Sequence, residues 1–366
     1  APVRRAVASW WWGPASARWI AALSGIGIAV LVVVCLPRFG ATHQPDLDYL
    51  HTYRTHDGTL LRSLTVDMRE YLRSTEYYAG VAEPSRLAPF TYRWGAPLLA
   101  GRVPLEPQVA LNLVVMALLA CGVPSVALAQ RRLAVPAGPL TVTTLLFAAA
   151  FPVYYWGSFD YVDGAVVGLH AVALALLVHE RRLAALLVVV AALLVKESAL
   201  VGLPVFLVWV WCRPGGSRRR IGWSVAAVVA VVAGVVVDRA LAPSATRFYY
   251  PWLPAPSEIQ GLIGSNVGRS GPIGQVTLTA IVPSVLVVLA CVRLRRGDLG
   301  APPGVAPMLL VGAGLGVALN LQALLTAQWD GRTLWVAYPF ALVLGGLALR
   351  PPDRPGGTGT TTPPVR

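Results

Sequence analysis

Apolar runs long enough to cross a membrane recur along this chain, and no other feature restricts its fold so strongly. An α-helix rises about 1.5 Å per residue and the hydrocarbon core of a bilayer is about 30 Å thick, so roughly twenty apolar residues make one span. Candidate runs lie near residues 19–36, 107–129, 139–156, 164–179, 221–241, 275–292, 305–327 and 333–349. The composition agrees: 56% of the residues are hydrophobic and 13% charged. With a mean hydropathy of +0.62, a water-soluble globular class is excluded. The expected fold class is an all-α polytopic membrane protein.

One further run, 183–212, would be roughly 45 Å long as a single helix, too long for an upright span. Arg181 and Arg182 precede it, and Arg213, Arg218, Arg219 and Arg220 follow it. If basic loops stay in the cytoplasm, the chain crosses an even number of times between them. The run is then two short helices broken at Lys196-Glu197, Lys196 being the only lysine in the sequence. About ten spans follow, with both termini cytoplasmic. On this topology the cytoplasmic loops carry a large arginine excess against Glu180, Asp298 and Asp353, while the outer side is close to neutral. The formal charge of +13 is thus an orientation signal spread over short loops. It is not a patch interleaved with aromatic residues, and nucleic acid is excluded as a partner.

The expected organisation is a cytoplasmic segment 1–18, a transmembrane domain 19–350 and a disordered cytoplasmic tail 351–366. The first apolar run lacks a small-residue cleavage site and is read as a retained span. Cys35, Cys121, Cys212 and Cys291 have no paired spacing and read as small core residues. Lysine depletion beside Ala, Val, Gly and Arg enrichment matches a GC-rich bacterial genome.

The outer side is irregular. The first outer loop, 37–105, is far longer than an ordinary helix connection, and long loops in compact proteins are usually functional or disordered. Its charges are interspersed with aromatic residues and leucines, and Asp67 to Tyr78 is expected as an amphipathic helix with Met68, Tyr71, Leu72 and Tyr78 on its apolar face. The second outer loop, 242–274, carries the aromatic and proline cluster "RFYYPWLPAPSEIQGL".

Charged residues that share the outer side come from several segments: Asp46, Asp48, Asp67, Arg93, Asp160, Asp163, Lys196, Glu197, Asp330 and Arg332. The two arms of the 183–212 hairpin are short of a full span, so its charged tip should sit below the outer surface, against protein or in a wet cavity. There Lys196 and Glu197 form a mutual pair or hold a ligand. Asp163 is either a helix N-cap or a site carboxylate. Arg332 either snorkels at the interface or holds a phosphate through its planar fork. His170 is expected as a satisfied polar core residue, and Asn320 and Gln322 as interhelical hydrogen-bonders. Glycosyl transfer from a lipid phosphate needs these parts together. A carboxylate takes the proton of the acceptor hydroxyl, and cations hold the departing phosphate.

Three stretches carry a family resemblance. "DMREYL…PFTYRWGAPLLAG" is similar to a D-x-x-x-Y…PF-x-Y-R-x-x-x-P-L-L block, "VKESAL" to a K-E-T/S hairpin, and "DGRTLWVAYPF" to an R-x-L-x-x-x-x-P start of a late span. With one N-terminal span and a long acidic outer loop, the chain resembles the GT-C superfamily of integral membrane glycosyltransferases, of an actinobacterial type. The resemblance implies a polyprenyl-phosphate sugar donor, a glycan or lipid-linked acceptor outside the plasma membrane, and membrane lipids as surroundings. It places the general base among the acidic residues of the first outer loop. Asp67 is favoured by the Tyr71, Arg93 and Pro97 that follow, and Asp48, close behind the first span, is the rival. Arg93, Lys196 and Arg332 would surround the phosphate, with Glu197 orienting Lys196 and Asp163, Asp46 and Tyr71 in support. Asp46-Leu47-Asp48 also has the spacing of a DxD motif, so a divalent metal, if any, would sit there; no other cofactor is implied. Two alternatives stay open: a transporter or flippase of a lipid-linked or anionic substrate, and a non-catalytic membrane protein of the same shape.

Overall fold

The computed structural model describes residues 10–39, 51–158, 161–248, 256–268, 270–326 and 329–351. The chain is nearly all helical. The first span, α1 (Ala17–Cys35), starts at Ser16, whose hydroxyl accepts a hydrogen bond from the Trp19 amide and satisfies one of the free N–H groups of the first turn. The 37–105 loop then holds a short antiparallel hairpin, His51–Arg54 with Leu60–Leu64, followed by α2 (Val66–Tyr78) and the short α3 (Gly95–Gly101). The hairpin departs from the helical expectation for this loop. Its turn is closed by the Asp57 carboxylate, which accepts from the Thr59 amide at 2.9 Å, and by Gly58 at φ 87°, a backbone state that favours glycine.

The apolar helices follow: α4 (Pro107–Arg132), α5 (Ala137–Ala149) continued by α6 (Phe151–Trp156), and α7 (Asp163–Val178). After these come α8 (Arg182–Leu193), α9 (Gly202–Cys212), α10 (Ser217–Leu241), α11 (Pro256–Val267), α12 (Ser270–Arg295), α13 (Val305–Thr326) and α14 (Tyr338–Ala348). Among the described residues, six segments are long and apolar enough to cross a membrane: α1, α4, α5 with α6, α10, α12 and α13. The other four expected spans correspond to shorter apolar helices.

Burial separates the two groups. Every residue of α14 is buried, and so is most of α7. A helix apolar on all sides belongs inside a protein or a bilayer. In α10, by contrast, only 22% of the most apolar window is covered by protein, and in α1 and α12 only 28%. These helices keep valine- and isoleucine-rich faces for lipid. Close packing at the centre relies on small residues, as membrane helices do where no aqueous hydrophobic effect drives them together. Gly168 of α7 lies against the Leu118 backbone of α4, and Gly312 of α13 against the Phe340 ring of α14, with no room for a Cβ at either place.

The 37–105 and 242–274 loops are tied to each other. The Arg86 carbonyl accepts from the Thr246 amide at 2.9 Å and Leu87-Ala88 pairs in parallel with Arg247-Phe248. Thr91 donates to the Pro243 carbonyl at 2.8 Å. The Arg239 guanidinium stacks 3.4 Å from the centroid of the Tyr92 ring.

Candidate functional site

Helix α2 begins at Thr65, whose side chain caps the Met68 amide, and this sets Asp67 in the first turn. Facing it is the turn Asp330-Gly331-Arg332, which leads into a 3₁₀ segment, Thr333–Ala337, ahead of α14. Gly331 has φ 87° and packs closely on Val276 and Thr279 of α12. That backbone state lets the chain reverse between the two charged residues. Arg332 donates from Nη1 to Asp67 Oδ2 at 2.8 Å and reaches Asp330 Oδ2 from Nε at 2.6 Å. Its guanidinium lies 4.5 Å from the centroid of the Tyr161 ring, and the Tyr161 hydroxyl is 3.2 Å from Thr65 Oγ1. The side chains of Arg332 and Asp67 are each 13% exposed.

The second part of the site is the break in the 183–212 run. Helix α8 ends at Leu193, Lys196 is extended (φ −165°, ψ 144°), and a 3₁₀ turn, Glu197–Val201, leads into α9. In extended backbone successive side chains point to opposite faces, and the two charges separate accordingly. Lys196 Nζ bonds Asp163 Oδ1 at 2.6 Å, the two side chains being 9% and 2% exposed. Glu197, 42% exposed, turns to Arg93. The guanidinium forks onto both carboxylate oxygens, Nε to Oε2 at 2.7 Å and Nη2 to Oε1 in a shorter contact. Arg93 also donates from Nη1 to the Tyr71 hydroxyl at 2.8 Å. Gly95 explains why Arg93 can reach the break: its amide donates to the Leu194 carbonyl at 2.7 Å, and a Cβ on Gly95 would stand 2.9 Å from that carbonyl group.

These pairs form one electrostatic neighbourhood. Asp163 feels Lys196, Arg332 and Arg93, and Tyr71 feels Arg93, Asp67, Asp163 and Glu197. Burial pushes the Tyr71 and Tyr161 hydroxyls well above the usual tyrosine range, against the pull of Arg93 and Arg332 respectively. Both therefore stay neutral and serve as hydrogen-bonding groups. Burial also raises the Asp330 carboxyl, which Arg332 only partly offsets. Burial works against the Arg332 charge too, but Asp330 and Asp67 together hold its pKa well above the ordinary value. Asp163 Oδ2 is buried without a hydrogen-bond partner among the described residues. The arrangement combines carboxylates able to take a proton with cations able to hold an anion, and each cation is paired.

Comparison with known proteins adds a partial likeness. The chain is 30% identical over 169 residues to Alpha-(1->6)-mannopyranosyltransferase A of Mycobacterium tuberculosis. The match covers 40% of this chain and 33% of that protein, so it spans about a third of the relative's length. No family model matches the chain, and no solved structure gives a significant match. Together with the six long apolar helices, the likeness fits a membrane glycosyltransferase of the GT-C type.

Of the residues singled out from the sequence, Asp67, Tyr71, Arg93, Asp163, Lys196, Glu197 and Arg332 meet in this cluster. Asp46 and Asp48, and with them the expected metal position, lie outside the described residues, as does Asp160. Among the described residues no group of three or more His, Cys, Asp or Glu side chains is arranged to hold a metal ion. Several expectations need correction. Glu197 does not orient Lys196; it holds Arg93, and Asp163 holds Lys196. Asp163 is the first residue of α7 and caps nothing. His170 is a buried core residue, its ring 5.9 Å from that of Phe340, with the Val166 and Ala199 backbone as its polar neighbours. Asn320 accepts from Thr333 at 3.3 Å, whereas among the described residues the Gln322 side chain bonds within α13, to Thr326. Cys121 and Cys212 are exposed and only Cys35 is buried, because an apolar position can face lipid. Thr65 and Tyr161, which position Asp67 and Arg332, lacked any signal beyond Thr65 as a helix cap.

Proposed function

We propose that the protein is a membrane glycosyltransferase that moves a sugar from a polyprenyl-phosphate donor to an acceptor at the outer face of a bacterial plasma membrane. The ten apolar helices are then ten spans with both termini in the cytoplasm, and the clustered pairs lie at the outer boundary. The observation that carries the reading is the meeting of Asp67 and Arg332, Asp163 and Lys196, and Arg93 and Glu197 at the ends of apolar segments far apart in sequence. Charges are costly near hydrocarbon and are kept there for function.

In this reading the donor phosphate takes up part of the hydrogen bonding of Arg332, which is freed from Asp67 while Asp330 keeps it in place. Lys196 and Arg93 add positive charge as the leaving phosphate gains negative charge. Asp67 accepts the proton of the acceptor hydroxyl. The acceptor oxygen bonds the anomeric carbon on the face opposite the phosphate, the carbon–oxygen bond to the phosphate breaks, and its electron pair stays on the phosphate. The sugar inverts. Because the curated relative is named for mannosyl transfer, polyprenyl-phosphate mannose is the first donor to try.

The test uses the full chain in nanodiscs with radiolabelled polyprenyl-phosphate mannose and a glycan extract as acceptor. Wild type should transfer label and Asp67→Asn should not, with donor binding retained. Full transfer by the Asp67→Asn, Asp48→Asn double variant would overturn the assignment of the base. Donor movement across the bilayer without any new glycosidic bond would favour the flippase alternative.

A further inference from the structure

A second charged feature lies on the flank of α2 away from Arg332. A cleft of about 770 Å³ is lined by Arg54, Arg69, Arg73, Arg86 and Arg247, with the carboxylates Glu70 and Glu83 among its walls. Five guanidinium groups against two carboxylates leave the cleft positive. Part of the acid is already committed: Glu70 is 4% exposed, accepts from Ser85 at 2.7 Å and pairs with Arg69 at 3.1 Å. Arg73 and Arg54 reach backbone carbonyls, of Glu83 and of Gly58, each at 3.3 Å. No described residue bonds the side chains of Arg86 and Arg247, which are exposed. They stand side by side because the Arg86 carbonyl accepts from the amides of Thr246 and Arg247, at 2.9 and 3.3 Å. Two outer loops are thus hydrogen-bonded together at the point where like charges gather. Like charges in one cleft repel, and an anion would relieve that repulsion.

We propose that this cleft binds a phosphate or carboxylate group carried by the acceptor; the acceptor role rests on the transferase reading, the anion site does not. Planar guanidinium forks match the oxygens of either group. The position is within an acceptor's reach: Arg69 and Arg73 lie on the same helix as Asp67, about 3 and 9 Å further along its axis and turned about 200° and 240° round it. A sugar chain anchored there by its anion would pass round the helix to present a hydroxyl to Asp67. The lining is polar except for Pro84 and Leu87, which suits a hydrated glycan end better than a lipid tail. The same phosphate chemistry could come from an anionic lipid headgroup, and the test separates the two sources.

The full chain is reconstituted in phosphatidylcholine nanodiscs and titrated with glucose 6-phosphate, with glucose as the uncharged control. In a second arm, native mass spectrometry counts phosphatidylglycerol retained against phosphatidylcholine. The expected result is binding of glucose 6-phosphate and not glucose. The Arg86→Gln, Arg247→Gln variant should bind at least about tenfold more weakly, the scale of losing charge-assisted hydrogen bonds. Arg86→Lys, Arg247→Lys should recover part of the affinity, which separates lost charge from misfolding. Retention of phosphatidylglycerol alone, lost in the glutamine variant, would support the anion site and assign it to a headgroup. Equal binding of glucose, unchanged affinity in the glutamine variant, or no anion bound in either arm would overturn the proposal. Asp67→Asn should bind glucose 6-phosphate as wild type does. If this binding persists while wild type transfers no sugar, the transferase reading falls and the anion site stands without its acceptor role.

Discussion

Asp67 and Arg332, separated by 265 positions in the chain, are joined Oδ2 to Nη1 at 2.8 Å, and Arg332 simultaneously holds Asp330 at 2.6 Å. The second carboxylate keeps the arginine in place when the first is removed. Asp67→Asn should therefore fold like wild type, with an unchanged unfolding temperature in detergent. Transfer should fall roughly 10²–10⁴-fold, the usual contribution of a positioned acid or base. Arg332→Lys tests the other partner. A single ammonium cannot reproduce a fork that serves two carboxylates, so this variant should lose both transfer and thermal stability.

The buried pair of Lys196 and Asp163 makes a sharper prediction about stability. The two side chains are 9% and 2% exposed, and removing one partner of such a pair strands the other charge, at a cost of about 3–5 kcal/mol. Lys196→Met should destabilise the protein on that scale. Adding Asp163→Asn should recover most of the loss, since the buried carboxylate is then gone. The double variant still lacks a cation at the site, so its transfer activity should stay low. Equal stability of wild type and Lys196→Met would show that the pair contributes nothing to folding.

The position of the charges was legible in the sequence to different depths. Helix α2 and the break at Lys196 could be read locally, because a threonine cap before an acidic first turn and a charged dipeptide within an apolar run each conflict with continuing the preceding structure. The partners could not. Lys196 sits beside Glu197 in sequence, and a mutual pair was a reasonable expectation until extended backbone sent the two in opposite directions. Which distant residues then receive them depends on contacts 33 and 104 positions away, set by helix packing at Gly168 and by the Gly95–Leu194 hydrogen bond. The hairpin at residues 51–64 was legible after all, through Asp57-Gly58, a strong two-residue turn signal.

Sidedness can be measured independently of chemistry. Val81 lies in the 37–105 loop and is 44% exposed, while Arg218 lies in the first turn of α10, directly after the loop that follows α9. With the native cysteines replaced, Val81→Cys should react with a membrane-impermeant maleimide in intact spheroplasts. Arg218→Cys should react only after permeabilisation, as the preference of basic loops for the cytoplasm requires. The reverse pattern would put the charge cluster on the cytoplasmic side and remove the outer-face assignment.

Gly95 offers the clearest separation of geometry from charge. Its amide hydrogen-bonds the Leu194 carbonyl at 2.7 Å, and a Cβ there would come within 2.9 Å of the same carbonyl group, closer than a side chain can sit without moving the backbone. Gly95→Ala alters no charged residue, yet it should push α3 away from the break and pull Arg93 out of its fork on Glu197. Overpacking of this kind costs roughly 1–3 kcal/mol, so the protein should still fold, at a lowered unfolding temperature. Transfer should fall by more than that stability loss explains, because a displacement of about 1 Å at a positioned group can cost about 10²-fold in rate. Wild-type transfer by Gly95→Ala would mean that the Arg93 and Glu197 pair serves only to hold the loop on the membrane domain.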